Sequence, residues 1–347
     1  MSLIFITNGL YRTAGTERVI VQLAQELPYN VTIYVPGTKN IAFEGYDNLN
    51  VISLGVGEFP SQGFIKKIYH RLKYFNAIKN NIKADDTVFA FSFDLNIFSI
   101  ILSFLRRNKV IASEHIEYGY HKGLRNKIRK ILYKKKNVKV VCLTETDKKK
   151  FLHDGINAYC IPNFIYPIET QYNIESNNIL AIGRLEYQKN FALLIEAFAI
   201  SKVYLDGWKL TIVGEGSELN TLNKLIEEKS MKSFVSIKNY TKQIEKFYDN
   251  AGLFSMTSRF EAFPMVLLEA MNHNLPVLIT DFPTGAQEIL GKDKEQIVPN
   301  DDAEIYAKHL NILCNSSALR IKLSTRNSKT VQNYQVYKVI EKWTKII

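Results

Sequence analysis

The sequence predicts an α/β protein made of two doubly wound parallel-sheet domains, and three observations predict it. Short apolar runs alternate with longer amphipathic ones along most of the chain, as when parallel strands reconnect through helices. The series breaks once, at IPNFIYPIETQYNIESNN (161–178), where Pro162, Pro167 and a polar tail mark a linker. A chain of 347 residues with 46% apolar side chains is enough for two cores of ordinary size.

In the first half, LIFIT (3–7), VTIYVP (31–36), VISLG (51–55), TVFAFS (87–92), VIAS (110–113) and VVCLT (140–144) read as strands. Thr16 to Leu27 reads as a helix, because Val19, Ile20, Leu23, Ala24 and Leu27 share one face. Two later stretches are basic and amphipathic. IKKIYHRLKYFNAIKNNIK (65–83) places Ile65, Ile68, Tyr69, Leu72, Phe75 and Ile78 at helical spacing among its cations. GLRNKIRKILYKKKNVK (123–139) does the same with Leu124, Ile128, Ile131 and Leu132.

Past the linker, NILAIG (178–183), KLTIVG (209–214), FVSIKN (234–239), LFSMTS (253–258) and PVLITD (276–281) read as strands. Helices near 190–200, 217–230, 241–250 and 264–272 separate them. The expected division is residues 1–165, residues 166–328, and a C-terminal helical segment, 329–347, free to pack back on either domain, the N-terminal one included. Ligands of such sheets sit at the carboxyl ends of the strands, here expected in the cleft between the domains.

Charge is unevenly spread. Residues 1–170 hold 24 Lys and Arg against 14 Asp and Glu, while residues 171–347 hold 21 against 20. The basic half is expected to meet an anionic partner. Its two basic amphipathic stretches suit an anionic membrane surface, where each basic side chain contributes about 1 kcal/mol. The same pattern also serves a helix whose apolar face covers a sheet. Nucleic acid is not expected, for there is no helix-turn-helix, zinc finger or RNP-like motif. MSLIFITNGL lacks a basic n-region, so it reads as a first buried strand and not a signal peptide. Val88 to Leu105 is interrupted by Asp94 and Asn96 and is not read as a membrane span. Cys142, Cys160 and Cys314 form no CxxC and read as reduced thiols of a cytosolic protein.

Three stretches of the second half carry chemistry. IGRLEYQKN turns sharply at Gly183 and sets two cations, Arg184 and Lys189, where they can bracket an anion. The planar fork of Arg184 suits a diphosphate, and Lys189 adds a point charge. VGEGSEL (213–219) is a strand-to-helix turn with Gly214 and Gly216 whose helix N-terminus favours negative charge. SRFEAFPMVLLEAM (258–271) places Pro264 in the first turn of an otherwise apolar helix that carries Glu269. A carboxylate on a buried helix needs partners, and adjacent sugar hydroxyls or an ion pair would supply them. Glu261 precedes the helix in a loop and should face a ligand.

Together, GRLEYQKN, VGEG, SRFEAFPMVLLEAM and PVLITDFPTGAQEI resemble the nucleotide-binding domain of retaining glycosyltransferases of the GT-B fold, family 4. Glu261 and Glu269 match that family's E-x7-E motif. GTERVIVQLA (15–24) resembles its GGxER segment, and SEH (113–115) its active-site histidine segment. The resemblance runs from residue 1 to about 295. It implies two Rossmann-like domains facing a cleft, with Arg184 and Lys189 on the diphosphate of a nucleotide-sugar. Glu269 would hold the ribose hydroxyls, and Glu261 with the backbone at Ala262 and Phe263 the transferred sugar. Gly15 would admit the diphosphate to the first-domain loop, His115 would contact the sugar or acceptor, and Tyr240 would lie near the base. Two positions depart from the pattern: Ala14 and Ala262 stand where the family has glycine, which stiffens both sites.

No Asp-x-Asp sequence is present, so a metal held in that way is not expected, nor is another cofactor. The resemblance implies retention of anomeric configuration. DFPTGAQEIL, with Thr284 and Gly285 after a proline, looks most like members that build bacterial surface glycans. The expected activity is transfer of a hexose or N-acetylhexosamine from a nucleotide-sugar, UDP-linked, to a lipid-linked glycan. The protein would work in the cytoplasm, peripheral on the inner face of the membrane. The competing readings are an inverting transferase or epimerase on the same fold, or a membrane-binding protein with a vestigial sugar site.

Overall fold

The predicted apolar runs become strands and the amphipathic runs helices, so the chain condenses into parallel sheets. The computed structural model describes residues 2–11, 15–60, 62–283 and 285–347. It divides into unit 1, Met1–Phe164 with Val336–Ile347, and unit 2, Ile165–Gln335.

Unit 1 begins with β1 (Leu3–Ile6), α1 (Gly15–Glu26), β2 (Val31–Val35), β3 (Asn50–Ser53) and α2 (Phe64–Asn81). There follow β4 (Thr87–Ala90), α3 (Phe93–Arg106), β5 (Lys109–Ser113), α4 (Gly123–Leu132), β6 (Val138–Cys142), α5 (Glu145–His153) and β7 (Ala158–Cys160). The seven strands run in the order β3-β2-β1-β4-β5-β6-β7, all parallel. Leu3 is in register with Val31 on one side and Thr87 on the other. Strand order therefore reverses between β1 and β4, the switch point where such sheets open a crevice.

The stretch from Val88 to Leu105 is strand β4 followed by α3, and no described helix is long and apolar enough to cross a membrane. The basic helices distribute their side chains differently from a simple sheet-covering pattern. In α2, Tyr74 and Ile78 are buried, while Ile65, Ile68, Tyr69 and Leu72 are exposed. In α4, Leu124, Ile128 and Ile131 are exposed and Arg129 is the buried residue. Arg129 lies over the rings of Tyr118 and Phe151 and donates to the Tyr118 carbonyl at 2.8 Å. Helical periodicity places α4's apolar residues on one face correctly; that face simply turns outward.

Unit 2 contains β8 (Asn178–Ile182), α6 (Phe191–Ser201), β9 (Lys209–Val213), α7 (Leu219–Glu228), β10 (Val235–Lys238) and α8 (Glu245–Asp249). It continues with β11 (Leu253–Met256), α9 (Met265–Asn272), β12 (Val277–Thr280), α10 (Ala286–Leu290), β13 (Ile297–Val298), α11 (Ala303–Cys314) and α12 (Ser317–Val331). Its six parallel strands run β10-β9-β8-β11-β12-β13. The core joins Ile179, Ala181, Leu210 and Ile212 of the sheet to Leu194, Phe198 and Leu310 of the helices. The last helix, α13 (Val336–Thr344), lies in unit 1, with Trp343 5.8 Å from Phe89 and the Lys139 amine donating to the Ile346 carbonyl at 2.6 Å.

Two glycines fix how β8 and β9 end. The Gly183 amide donates to the Val213 carbonyl at 3.0 Å, and Gly214 sits so close that a Cβ there would run into the Gly183 carbonyl oxygen. Gly214→Ala is therefore expected to cost about 3 kcal/mol through overpacking. Gly15→Ala, where a Cβ meets nothing within 4 Å, should stay within about 0.5 kcal/mol of wild type. Urea unfolding of the two variants checks this, and equal midpoints would refute the packing account.

Candidate functional site

The carboxyl ends of β8, β9 and β11 carry the residues that the sequence singles out in unit 2. After Gly183 the chain turns, and Leu185 donates its amide to the Glu215 carbonyl at 2.8 Å. The loop closes on Thr257, a fully buried residue just past β11, whose hydroxyl donates to the carbonyls of Lys189 and Asn190 at 3.1 and 3.0 Å. Asn190 takes the left-handed conformation (φ 51°) and starts α6, while its side-chain amide donates to Asp301 at 3.0 Å. These bonds leave the Lys189 side chain little freedom.

Its ammonium lies 2.6 Å from Glu261 Oε1, and the Ser258 hydroxyl donates to the same oxygen at 3.0 Å. Both charged side chains are mostly buried, 13% and 12% exposed. Among the described residues Glu261 Oε2 makes no hydrogen bond. Arg184 stands exposed on the same loop as Lys189. Its guanidinium donates to Gln188 Oε1 at 3.4 Å, and Gln188 in turn donates to the Phe260 carbonyl at 2.8 Å. Two cations and one carboxylate thus share a single loop system built from residues 183–190 and 257–264.

Glu269 sits on α9, which starts at Met265 with Pro264 as its extended cap, one residue later than the sequence placed the helix start. Glu269 is half-buried rather than enclosed, and the Tyr248 hydroxyl donates to its Oε2 at 2.8 Å. Tyr248 is itself fixed by stacking on His273, at 4.8 Å between ring centres, and His273 bonds Asp249 at 2.8 Å. An uncharged hydroxyl of the chain itself is thus one partner of this carboxylate, for which sugar hydroxyls or an ion pair were the expected ones. Phe263 is buried against Tyr334, Ala262 is half-buried, and Tyr240 is exposed beyond β10.

The turn with Gly214 and Gly216 is not an open anion cradle. Both glycines press on backbone of the β8 loop, and the Glu186 carboxylate already takes the Ser217 amide and hydroxyl at 3.1 and 2.9 Å. The Ser217 amide foremost, then its hydroxyl, holds the Glu186 carboxyl below its ordinary range. The negative charge that this turn favours is supplied from within the chain.

In unit 1, His115 follows β5. It is half-buried, with Nε2 3.1 Å from the Ser113 hydroxyl and its ring 5.9 Å from Phe91. Burial pushes its pKa down to about 4, so at neutral pH it offers hydrogen bonds and no charge. Beside it Glu114 is buried, accepting from Asn96 at 3.2 Å and from the Tyr133 hydroxyl; burial raises its carboxyl pKa. Gly15 opens α1 with free space where a side chain would project. Ala14 and Thr284 lie outside the described residues. Spacing gave no signal for Tyr248, Thr257 or Gln188, because each acts through a contact with a distant part of the chain.

Among the described residues, no group of three or more His, Cys, Asp or Glu is placed to hold a metal ion. Residues 167–330 match the family model described as glycosyl transferases group 1. The amylovoran biosynthesis glycosyltransferase AmsD of Erwinia amylovora is 29% identical over 362 residues, covering 99% of each chain. A Campylobacter jejuni enzyme described as GalNAc-alpha-(1->4)-GalNAc-alpha-(1->3)-diNAcBac-PP-undecaprenol alpha-1,4-N-acetyl-D-galactosaminyltransferase is 24% identical over 358 residues, covering 100% of this chain and 98% of its own. Among solved structures, Anabaena Alr3699/HepE in complex with UDP has a TM-score of 0.81 at 15% identity, covering 100% of this chain and 99% of that one. The apo lipopolysaccharide outer core galactosyltransferase WaaB has a TM-score of 0.75 at 15% identity, covering 99% and 98%. These structural likenesses show the fold, two Rossmann-like domains of the GT-B class.

The Lys189–Glu261 pair predicts a measurable coupling. Lys189→Met and Glu261→Gln should each cost up to about 3 kcal/mol, since each leaves a largely buried charge without its partner. In a double-mutant cycle by urea unfolding, the double variant should recover at least about 1 kcal/mol of their sum. Strict additivity would mean that the pair contributes nothing.

Proposed function

We infer that this chain, whose residues 167–330 belong to the group 1 glycosyl transferases, is a glycosyltransferase of bacterial polysaccharide assembly. We assign it transfer of a hexose or N-acetylhexosamine from a UDP-sugar to a lipid-linked glycan. The observation that carries the reading is the loop system in which Lys189, Arg184 and Glu261 converge. Those groups match the two demands of a nucleotide-sugar, a diphosphate to neutralise and hydroxyls to orient. Support for the setting comes from similar chains named for amylovoran synthesis and for undecaprenol-linked glycans, and for the nucleotide from a similar fold solved with UDP.

In this mechanism Lys189 exchanges Glu261 for the donor diphosphate, and Arg184 swings from Gln188 to the same anion. Glu261, with Ser258 still on Oε1, turns Oε2 to hydroxyls of the transferred sugar. Glu269 accepts from the ribose while Tyr248 keeps its other oxygen oriented. The acceptor hydroxyl attacks the anomeric carbon on the face that the phosphate leaves, and its proton passes to the departing phosphate oxygen. One C–O bond forms as the other breaks, giving UDP and a glycoside of retained configuration. Charge building on the leaving diphosphate meets Arg184 and Lys189, preorganised cations of the kind that lower such barriers, and no resident metal is assigned a role. His115, neutral at working pH, contributes a hydrogen bond on the sugar or acceptor side.

We also assign unit 1 a membrane contact, and its exposed residues support that reading. Ile65, Tyr69 and Leu72 of α2 and Leu124 and Ile131 of α4 are all more than half exposed, and Lys66, Lys73, Arg125 and Lys127 stand exposed among them. Arg71 of α2 and Arg125 of α4 both pair with Asp94 at the start of α3, which ties the two helices together. An apolar face ringed by cations fits an anionic bilayer surface on the cytoplasmic side.

Two experiments test the reading. Lys189→Ala should lower kcat/KM for transfer from a UDP-sugar by about 100-fold or more, and NMR of the wild-type product should show the donor's anomeric configuration. Undiminished transfer, or an inverted product, would sink the mechanism. For the membrane contact, replacing Ile65, Tyr69 and Leu72 by serine should cut co-sedimentation with anionic vesicles at least fivefold, and wild-type binding that ignores lipid charge would refute it.

A further inference from the structure

Unit 2 contains a pocket of about 460 Å³ where α9 ends, within the range of about 300 to 1,000 Å³ that small ligands occupy. It is lined by Thr170, by Asn272 and Asn274 at the end of α9, by Ser328 and Val331 of α12, and by Gln335. Val331 and Gln335, each 1% exposed, form its floor, while Thr170, Asn272, Asn274 and Ser328 are half-buried. None of them takes part in the transfer proposed above.

Carbonyls, which only accept, fix the orientation of the amides here. Asn272 Nδ2 donates to the Tyr166 carbonyl at 2.9 Å, which turns its Oδ1 toward Gln335. Gln335 must then donate with Nε2, at 3.1 Å, and its Oε1 is left buried with no hydrogen-bond partner among the described residues. Asn274 repeats the pattern just past α9, where it takes φ 59°. Its Nδ2 donates to the Thr170 carbonyl at 2.9 Å, and its Oδ1 makes no hydrogen bond among the described residues. An acceptor buried without a donor is costly, and a ligand O–H would satisfy it.

The rest of the lining narrows the ligand. It contains no Lys or Arg and one carboxylate, the exposed Glu169, so it disfavours an anion. Pro167, Ile168 and Val331 supply aliphatic surface, and the other seven lining residues are neutral amides or hydroxyls. A surface of that kind matches the C–H face and the hydroxyls of a neutral sugar, each of which both donates and accepts.

The pocket is also joined to Glu269. Thr170 Oγ1 donates to Asp249 Oδ1 at 3.2 Å, and His273 Nδ1, between the two lining asparagines, donates to the same oxygen at 2.8 Å. The His273 ring stacks on Tyr248 at 4.8 Å, and the Tyr248 hydroxyl donates to Glu269 Oε2 at 2.8 Å. Three side chains therefore link Thr170 to the carboxylate assigned to the ribose.

We propose that this pocket is a carbohydrate site apart from the donor site. It takes a neutral sugar residue whose hydroxyls donate to Asn274 Oδ1 and Gln335 Oε1, and its occupation tightens UDP binding through Asp249, His273 and Tyr248. The sugar binding stands by itself; the coupling rests on the transferase reading. A sugar that orders Thr170 and Asn274 fixes His273, and with it the hydroxyl that orients Glu269, before the nucleotide arrives.

Saturation-transfer NMR on the full chain tests the binding with the methyl α-glycosides of glucose, galactose, N-acetylglucosamine and N-acetylgalactosamine and with their α1,4-linked disaccharides. At least one should give a signal that Asn274→Gly and Ser328→Trp each reduce at least fivefold. Glycine accepts the φ of 59° at 274, and tryptophan at 328 fills the pocket from α12. A disaccharide that binds at least fivefold tighter than its monosaccharide identifies the occupant as part of a glycan chain, and equal binding identifies a free sugar. By calorimetry, the Kd for UDP should be at least threefold lower with the sugar present, and Tyr248→Phe should abolish that difference while the sugar signal stays. No signal, or one that survives both pocket substitutions, overturns the site, and a UDP affinity that ignores the bound sugar overturns the coupling. Sugar binding that both substitutions remove, in a protein that fails to bind UDP, would uphold the pocket and count against the transferase reading.

Discussion

The contact between Gly183 and Gly214 is the constraint on which the chemistry of unit 2 depends. Neighbouring parallel strands both turn within a residue of their ends, and only glycine at 214 lets the backbones approach so closely, because a Cβ there would run into the Gly183 carbonyl oxygen. That crossing starts the loop whose far end Thr257 clamps, and the clamp delivers Lys189 to Glu261. A side chain at 214 would displace the start of the loop and move the ammonium with it. The glycines that resemble a phosphate-binding loop thus act through packing, and the cation carries the charge.

Electrostatics in unit 2 follows one rule: each acid of the site already has a partner from within the chain. Glu186 holds Ser217, Glu261 holds Lys189 and Ser258, and Glu269 holds Tyr248. Pairing of this kind keeps largely buried charges tolerable before a ligand arrives. It also makes binding an exchange of partners, so affinity is the difference between two well-bonded states. Unit 1 works in a different way. There His115 is kept neutral by burial, and the acid beside it is enclosed with Asn96 and Tyr133.

The sequence by itself determined the two-sheet architecture, because apolar period and glycine or proline breaks record directly what each segment buries. It also singled out the charged residues Arg184, Lys189, Glu261 and Glu269, since within each short stretch they are few and out of keeping with their apolar surroundings. Tertiary structure alone decided which charges meet. A separation of 72 positions between Lys189 and Glu261 gives no spacing signal, and their contact exists because β8 and β11 are neighbours in the sheet. The same holds for Tyr248 beneath Glu269, and for α4, where periodicity shows an apolar face but not that it turns outward while Arg129 turns in. Local patterns report which side chains share a face; only the packing of distant segments decides what that face meets.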